Sequence, residues 1–187
     1  MMAVEKCDVD IILLSSSFES RFDELENAIR FAYEKSKVVF TPGIGRLSNN
    51  HHVIGIHAAS SEGESHTFSQ PELDENCFST LGISVPVTRE GNVYKSGHTY
   101  AAAVATCIAA GFLRFAALKW REKSDEDRKW LFSTEGVREL FRLLSIPVQG
   151  SRFINPLALG RKGQGNIGDN ICMIMELALR KGNGPRA

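Results

Sequence analysis

Apolar residues along this chain fall into two rhythms. In "VDIILLSS" (Val9–Ser16), "VVFT" (Val38–Thr41) and "VIGIHAA" (Val53–Ala59) they run almost unbroken, rich in β-branched types. That is the pattern of strands covered on both faces, as in a parallel sheet. Between the first two, "FDELENAIRFAYEKSK" sets Phe22, Leu25, Ile29 and Ala32 or Tyr33 at helical spacing. Acids crowd its start and lysines its end, matching the helix dipole. Strand, helix and strand joined by short connections predict a right-handed βαβ crossover and hence a parallel sheet.

Further along, "SSEGESHTFSQPELDENC" (Ser60–Cys77) reads as a solvated loop, and "FSTLGISVPV" as a short strand or hairpin. The run from Tyr100 to Leu118 is made largely of alanine and predicts a long helix ending near Trp120. "REKSDEDRKW" then reads as a charged surface connection. "STEGVRELFRLLS" offers Ser133 or Thr134 as a cap before an amphipathic helix, and "NICMIMELALRKG" predicts a last helix closing at Gly182. The fold class expected is α/β: a partial parallel β-sheet flanked by helices. Residues 1–120 form its main body and 121–187 a helical C-terminal extension packed on it.

Composition narrows the function. With 187 residues, the chain suits one domain able to bury about 70% of its unfolded surface. Lys plus Arg and Asp plus Glu both number 22, so no basic field draws phosphates, and nucleic acid is not an expected partner. Cys7, Cys77, Cys107 and Cys172 form no CxxC pair, and Cys107 is expected to be a buried free thiol. The opening "MMAVEKCDVD" has no apolar signal core, so a cytoplasmic protein with reduced thiols is expected. A membrane span over the alanine run is excluded on composition. Alanine contributes little transfer free energy, and Arg114 within the run would cost about 2.5 kcal/mol or more.

The polar turn before that helix carries the functional signal. "SGHTYAAAVATCIAAGFLRFA" resembles the nucleophile motif of subtilisin-like serine peptidases, where Ser-Gly-Thr-Ser-x-Ala opens a long helix of small residues. Ser96, Gly97 and Ala101 match. "DVDIILLSSSF", "DELENAIRFAYEKSKVVFTPG" and "HHVIGIHAA" are similar to the family's strand, helix, strand and following strand, and "FSTLG" (Phe78–Gly82) to the segment before the nucleophile loop. The resemblance covers residues 8 to about 120 and implies the C-terminal half of a peptidase domain, an incomplete subtilisin-like fold. A nucleophile at a helix N-terminus has open N–H groups and the positive dipole end beside it, which favour a developing oxyanion. Small residues behind it allow close packing on the sheet.

The resemblance puts Thr99 at the nucleophile position, with Ser96, Gly97 and His98 as the nucleophile turn. It also exposes departures. Threonine adds a methyl that crowds attack and restricts χ1. The family's oxyanion asparagine falls at Ile44 or Gly45, which cannot donate from a side chain, while Asn49 and Asn50 lie nearby. Losing that donor costs about 10²–10³ in turnover. No Asp-(Ser/Thr)-Gly or His-Gly-Thr motif occurs, and loss of a triad nucleophile or base costs on the order of 10⁶. A serine endopeptidase homologue that is inactive alone is therefore expected, whether truncated or a pseudoenzyme. The alternative is a non-catalytic module that binds peptide or protein. His98 as base to Thr99 is disfavoured, because adjacent side chains at a helix start diverge. The expected partners are a peptide or protein ligand, a missing N-terminal half, or a second copy, since absent strands leave an exposed edge. No membrane partner, cofactor or metal is implied.

Three other patterns read as structural. His51 and His57 in one strand would lie roughly 20 Å apart, too far for one metal. "GQGNIG" (Gly163–Gly168) fits a dinucleotide fingerprint without the strands that motif needs. Glu62, Glu64, Glu72, Asp74 and Glu75 lack the Asp-x-Asp spacing of a cation loop.

Overall fold

The computed structural model describes residues 2–20, 22–64, 77–120, 123–156, 159 and 166–182. After a short helix α1 (Met2–Glu5) come β1 (Ile11–Leu13), α2 (Asp23–Glu34) and β2 (Val38–Pro42). A 3-10 turn (Arg46–Asn49), β3 (Ile54–Ala59) and β4 (Phe78–Leu81) follow. A separate two-stranded ribbon, β5 (Val85–Pro86) with β6 (Tyr94–Lys95), leads into α3 (His98–Lys119). The chain continues through α4 (Asp125–Leu131), α5 (Thr134–Leu144), β7 (Ser145–Val148), β8 (Ser151–Ile154) and α6 (Ile167–Gly182).

The main sheet has six strands in the order β1-β2-β3-β4-β8-β7, all parallel except β7. Every residue of β2 is buried, as its unbroken apolar run requires of a strand covered on both faces. Val38 and Phe40 point to the face that carries α3 and α5, where Phe141 stacks against Phe40 and Phe78. Val39 points to the other face and packs with Ile29, Ala32, Leu47 and Val53 under α2.

Helix α3 lies across β1–β4 with Ala101, Ala102, Ala105, Ala109 and Ala116 buried. Its approach is set by the absence of atoms. A Cβ at Gly82 would stand 2.7 Å from the Ala58 Cβ and 2.8 Å from the Ala101 Cβ. The helix is apolar and long enough to cross a membrane by composition, with mean hydropathy 1.8, yet here its alanine face is spent on the sheet. Its outer face includes Arg114 and Cys107, so Cys107 is exposed rather than buried as expected. A helix of small residues has little apolar contrast between its faces, which is why periodicity misplaced the thiol.

Two segments depart from the expected elements. "SDEDRKWL" forms α4, capped by Ser124, whose Oγ accepts from the Asp127 N–H at 3.0 Å, with three acids in its first turn. The C-terminal portion is not wholly helical, because β7 and β8 make a hairpin about Gln149 and Gly150, both at positive φ. Its second strand joins β4, so the sheet draws strands from both sides of residue 120. Two positive-φ residues at the turn suit a tight hairpin, and Pro147 sits on its edge strand, where proline is tolerated.

Candidate functional site

The end of the sheet where the parallel strands finish holds the α3 N-terminus. Gly97 caps the helix at φ 152°, a conformation open to glycine alone, and no side chain caps it. The turn is held from the sheet side. The Gly97 N–H donates to the Gly82 carbonyl at 2.8 Å, and Ser96 Oγ accepts from the Ser84 N–H at 3.0 Å. The "FSTLG" and "SGHT" segments, 14 residues apart between Gly82 and Ser96, are thereby fastened together.

Thr99 is exposed at the first turn of α3, and its Oγ1 donates to the Ser15 carbonyl just beyond β1 at 3.3 Å. His98 turns inward. Its Nδ1 accepts from the Ala58 N–H at 3.2 Å, and its ring meets His57 edge-on with centroids 5.4 Å apart. With Nδ1 accepting, the neutral ring carries its proton on Nε2. Burial lowers the pKa of His98, and burial followed by the neighbouring His98 pushes His57 down to about 4. Gly43 lies flat against His57, where a Cβ would fall 2.5 Å from the ring.

The strand histidines therefore sort differently from the expectation. His51 precedes β3 in a turn, and its ring sits 3.9 Å from His52, which in turn sits 4.5 Å from Tyr33. His57 belongs with His98, a contact across 41 residues with no local signal in the sequence. Among the described residues no group of three metal-ligating side chains occurs. Gly163 to Gly165 of the glycine motif, and Glu72, Asp74 and Glu75, fall outside the described residues. Glu62 and Glu64 donate backbone N–H groups to Ser60 Oγ in a tight turn.

Near the expected oxyanion position, Ile44 is half-buried and Gly45 takes φ 79°, tucked against the Phe18 backbone. Asn50 Oδ1 accepts from the His52 N–H at 2.9 Å, so it serves the turn into β3. Asn49 and Asn50 line a cleft of about 370 Å³ with Glu26, Arg46 and Leu47, sharing no residue with the Ser96–Thr99 turn.

No family model matches the sequence, and no curated protein matches it. Solved structures do. The patellamide maturation protease PatA superposes with TM-score 0.65 at 13% identity, over 92% of this chain and 65% of that one. The prenylagaramide maturation protease PagA gives 0.64 at 16%, over 91% and 64%. The PatG macrocyclase, solved in complex with peptide, gives 0.60 at 19%, over 93% and 54%. This chain thus spans about 65% or less of the length of these neighbours. At such identities the likeness concerns the fold: a mostly parallel six-stranded sheet flanked by helices, of the subtilisin-like protease type.

Proposed function

We propose that this chain is a homologue of subtilisin-like serine endopeptidases that does not hydrolyse peptides by itself. The observation that carries the reading is the fate of two groups at the α3 N-terminus. The Thr99 hydroxyl donates its proton to a backbone carbonyl, which cannot act as a base. The adjacent His98 has its one ring acceptor occupied by the Ala58 N–H, and burial opposes its protonation. A general base must be within hydrogen-bond reach of the proton it removes and must have a lone pair to receive it. Ile44 or Gly45, where the resemblance places an oxyanion donor, offers only backbone. A fluorophosphonate probe is expected to leave Thr99 unlabelled, and the purified chain to leave a fluorogenic peptide uncut. Stoichiometric labelling of Thr99 would refute the proposal.

A second reading is a module that binds peptides without cutting them, and one observation favours it. The ribbon that leads into Ser96 exposes Val87 and Val93 at 42% each and Tyr94 at 60%. Apolar side chains beside an open helix N-terminus suit an extended peptide. Fluorescence anisotropy with labelled peptides tests this: binding weakened by Tyr94→Ala supports it, and the same affinity for Tyr94→Ala discards it.

A further inference from the structure

The first turn of α3 is hooked to the sheet by a ring nitrogen. Strand β2 pairs with β3 as far as Pro42, level with Ile56, and the Gly43 N–H donates to the Ile56 carbonyl at 2.7 Å. The next donor on that side of β3 is the Ala58 N–H, two residues on. Strand β2 has ended by then, and His98 Nδ1 stands at 3.2 Å, where a strand carbonyl would accept. The imidazole thus serves as one rung of a parallel ladder.

A rung made by a titratable group fails when that group gains a proton. An imidazolium donates from both nitrogens, so it would set N–H against N–H at Ala58. Nothing nearby compensates its charge. Residues 11–18, 38–44 and 78–84, from the other strands that α3 crosses, include no titratable side chain. From β3 comes His57 alone, its ring edge-on to His98 with centroids 5.4 Å apart. The ribbon brings Tyr94 and Lys95, and α3 itself Tyr100, none of them a carboxylate. Burial alone holds the pKa of His98 down. The helix dipole adds to the penalty, because His98 opens α3 at its positive end.

The ring has a way out, and the turn has other ties. His98 is only half-buried, with Ser96 and Thr99 exposed around it, so rotation of its own side chain reaches water. The Gly97 N–H still holds the Gly82 carbonyl and Thr99 Oγ1 the Ser15 carbonyl, bonds in which no group titrates near neutrality. We infer that His98 is a proton-released latch: on taking a second proton its ring lets go of the Ala58 N–H and turns to solvent, leaving that donor open beside the first turn of α3. The direction follows from linkage. A solvated ring takes its proton near 6.5 and the latched ring only below that, so the released form binds more protons and acid favours it. Release changes what the helix start can hydrogen-bond, by adding one backbone donor from the end of β3. The inference holds whether or not that site binds or cuts peptides.

Amide hydrogen exchange of the full chain, followed by NMR from roughly pH 7 to 5 and corrected for its intrinsic pH dependence, is the test. Protection of the Ala58 N–H is expected to fall about tenfold, with a midpoint below 6.5. The Leu14 N–H, bonded to the Phe40 carbonyl at 2.9 Å, is expected to keep its protection, which separates local release from unfolding. In His98→Asn the side-chain oxygen takes the place of Nδ1 and cannot titrate, so Ala58 protection is expected to stay flat. The latch is overturned if Ala58 protection is flat in the unsubstituted chain, falls in step with that of Leu14, or still falls in His98→Asn. Should His98→Asn fail to fold, the ¹⁵N shifts of the His98 ring decide. Nδ1 is expected to pass from acceptor to protonated at the midpoint of the Ala58 loss, and an imidazolium formed while Ala58 stays protected overturns the latch.

Discussion

Two imidazole pairs sit towards opposite ends of β3 and differ in what surrounds them. His57 and His98, under the α3 N-terminus, are enclosed, and both are shifted down chiefly by burial, with no carboxylate among the causes. His51 and His52 lie in the turn before the strand, against Tyr33, whose hydroxyl donates to Glu135 Oε1 at 2.6 Å. There the downward pull on His52 from burial, His51 and Arg30 is opposed by Glu135 and Glu34. The comparison teaches that the inner pair is a packing element whose neutrality the fold enforces. The outer pair lies nearer the surface, where acids oppose but do not overturn the downward shift of His52.

The largest effect should come from crowding the inner region. Gly82→Val would drive a branched side chain into the Ala58 and Ala101 methyls, and a loss of about 3 kcal/mol or more is expected in urea unfolding. Acid should come next. His57 takes up a proton near pH 4 when folded and near 6.5 when unfolded, so between those values the unfolded chain holds more protons. Stability is therefore expected to fall as pH drops from 6.5 toward 4, by an amount on the order of 3 kcal/mol, and His57→Asn should flatten that slope. A slope unchanged by that substitution but removed by His52→Asn would reverse the comparison.

Smaller effects sharpen it. His98→Ala strands the half-buried Ala58 N–H and is expected to cost about 1–3 kcal/mol, with Asn at 98 restoring part of it. In the outer cluster, Tyr33→Phe breaks one exposed hydrogen bond and should cost about 1 kcal/mol or less by the same assay. Thr99→Ser is expected to change almost nothing: under the proposed reading a fluorogenic peptide stays uncut, because the hydroxyl at 99 faces a backbone carbonyl rather than a base.

Much of the layout could be read from residue order. The strands at β1–β4 and the helices α2, α3, α5 and α6 follow from unbroken or helical apolar runs, and Ser133 does cap α5, accepting from the Gly136 N–H. The elements that escaped are those where local signals conflict. The short strands β7 and β8, of four residues each, gave no apolar run to read, dense charge hid α4, and the even smallness of α3 hid which way Cys107 faces. The place of the Ser96–Gly97 turn and of Thr99 at the start of α3 was legible from the polar turn before the alanine run. The inward turn of His98 toward His57 was not. It depends on the close approach at Gly43 and Gly82, which tertiary packing creates.

Strand β8 carries a consequence for how this molecule comes into being. It fills the place beside β4, where Ser79 and Ser151 share a hydrogen bond at 2.9 Å and Thr80 Oγ1 donates to the Ile154 carbonyl, contacts spanning 72 and 74 residues. During synthesis the flank of the sheet beyond β4 stays open, with β7 unattached, until Ile154 has left the ribosome. Everything made earlier must wait with an unfinished flank, so this fold closes late and from its far end.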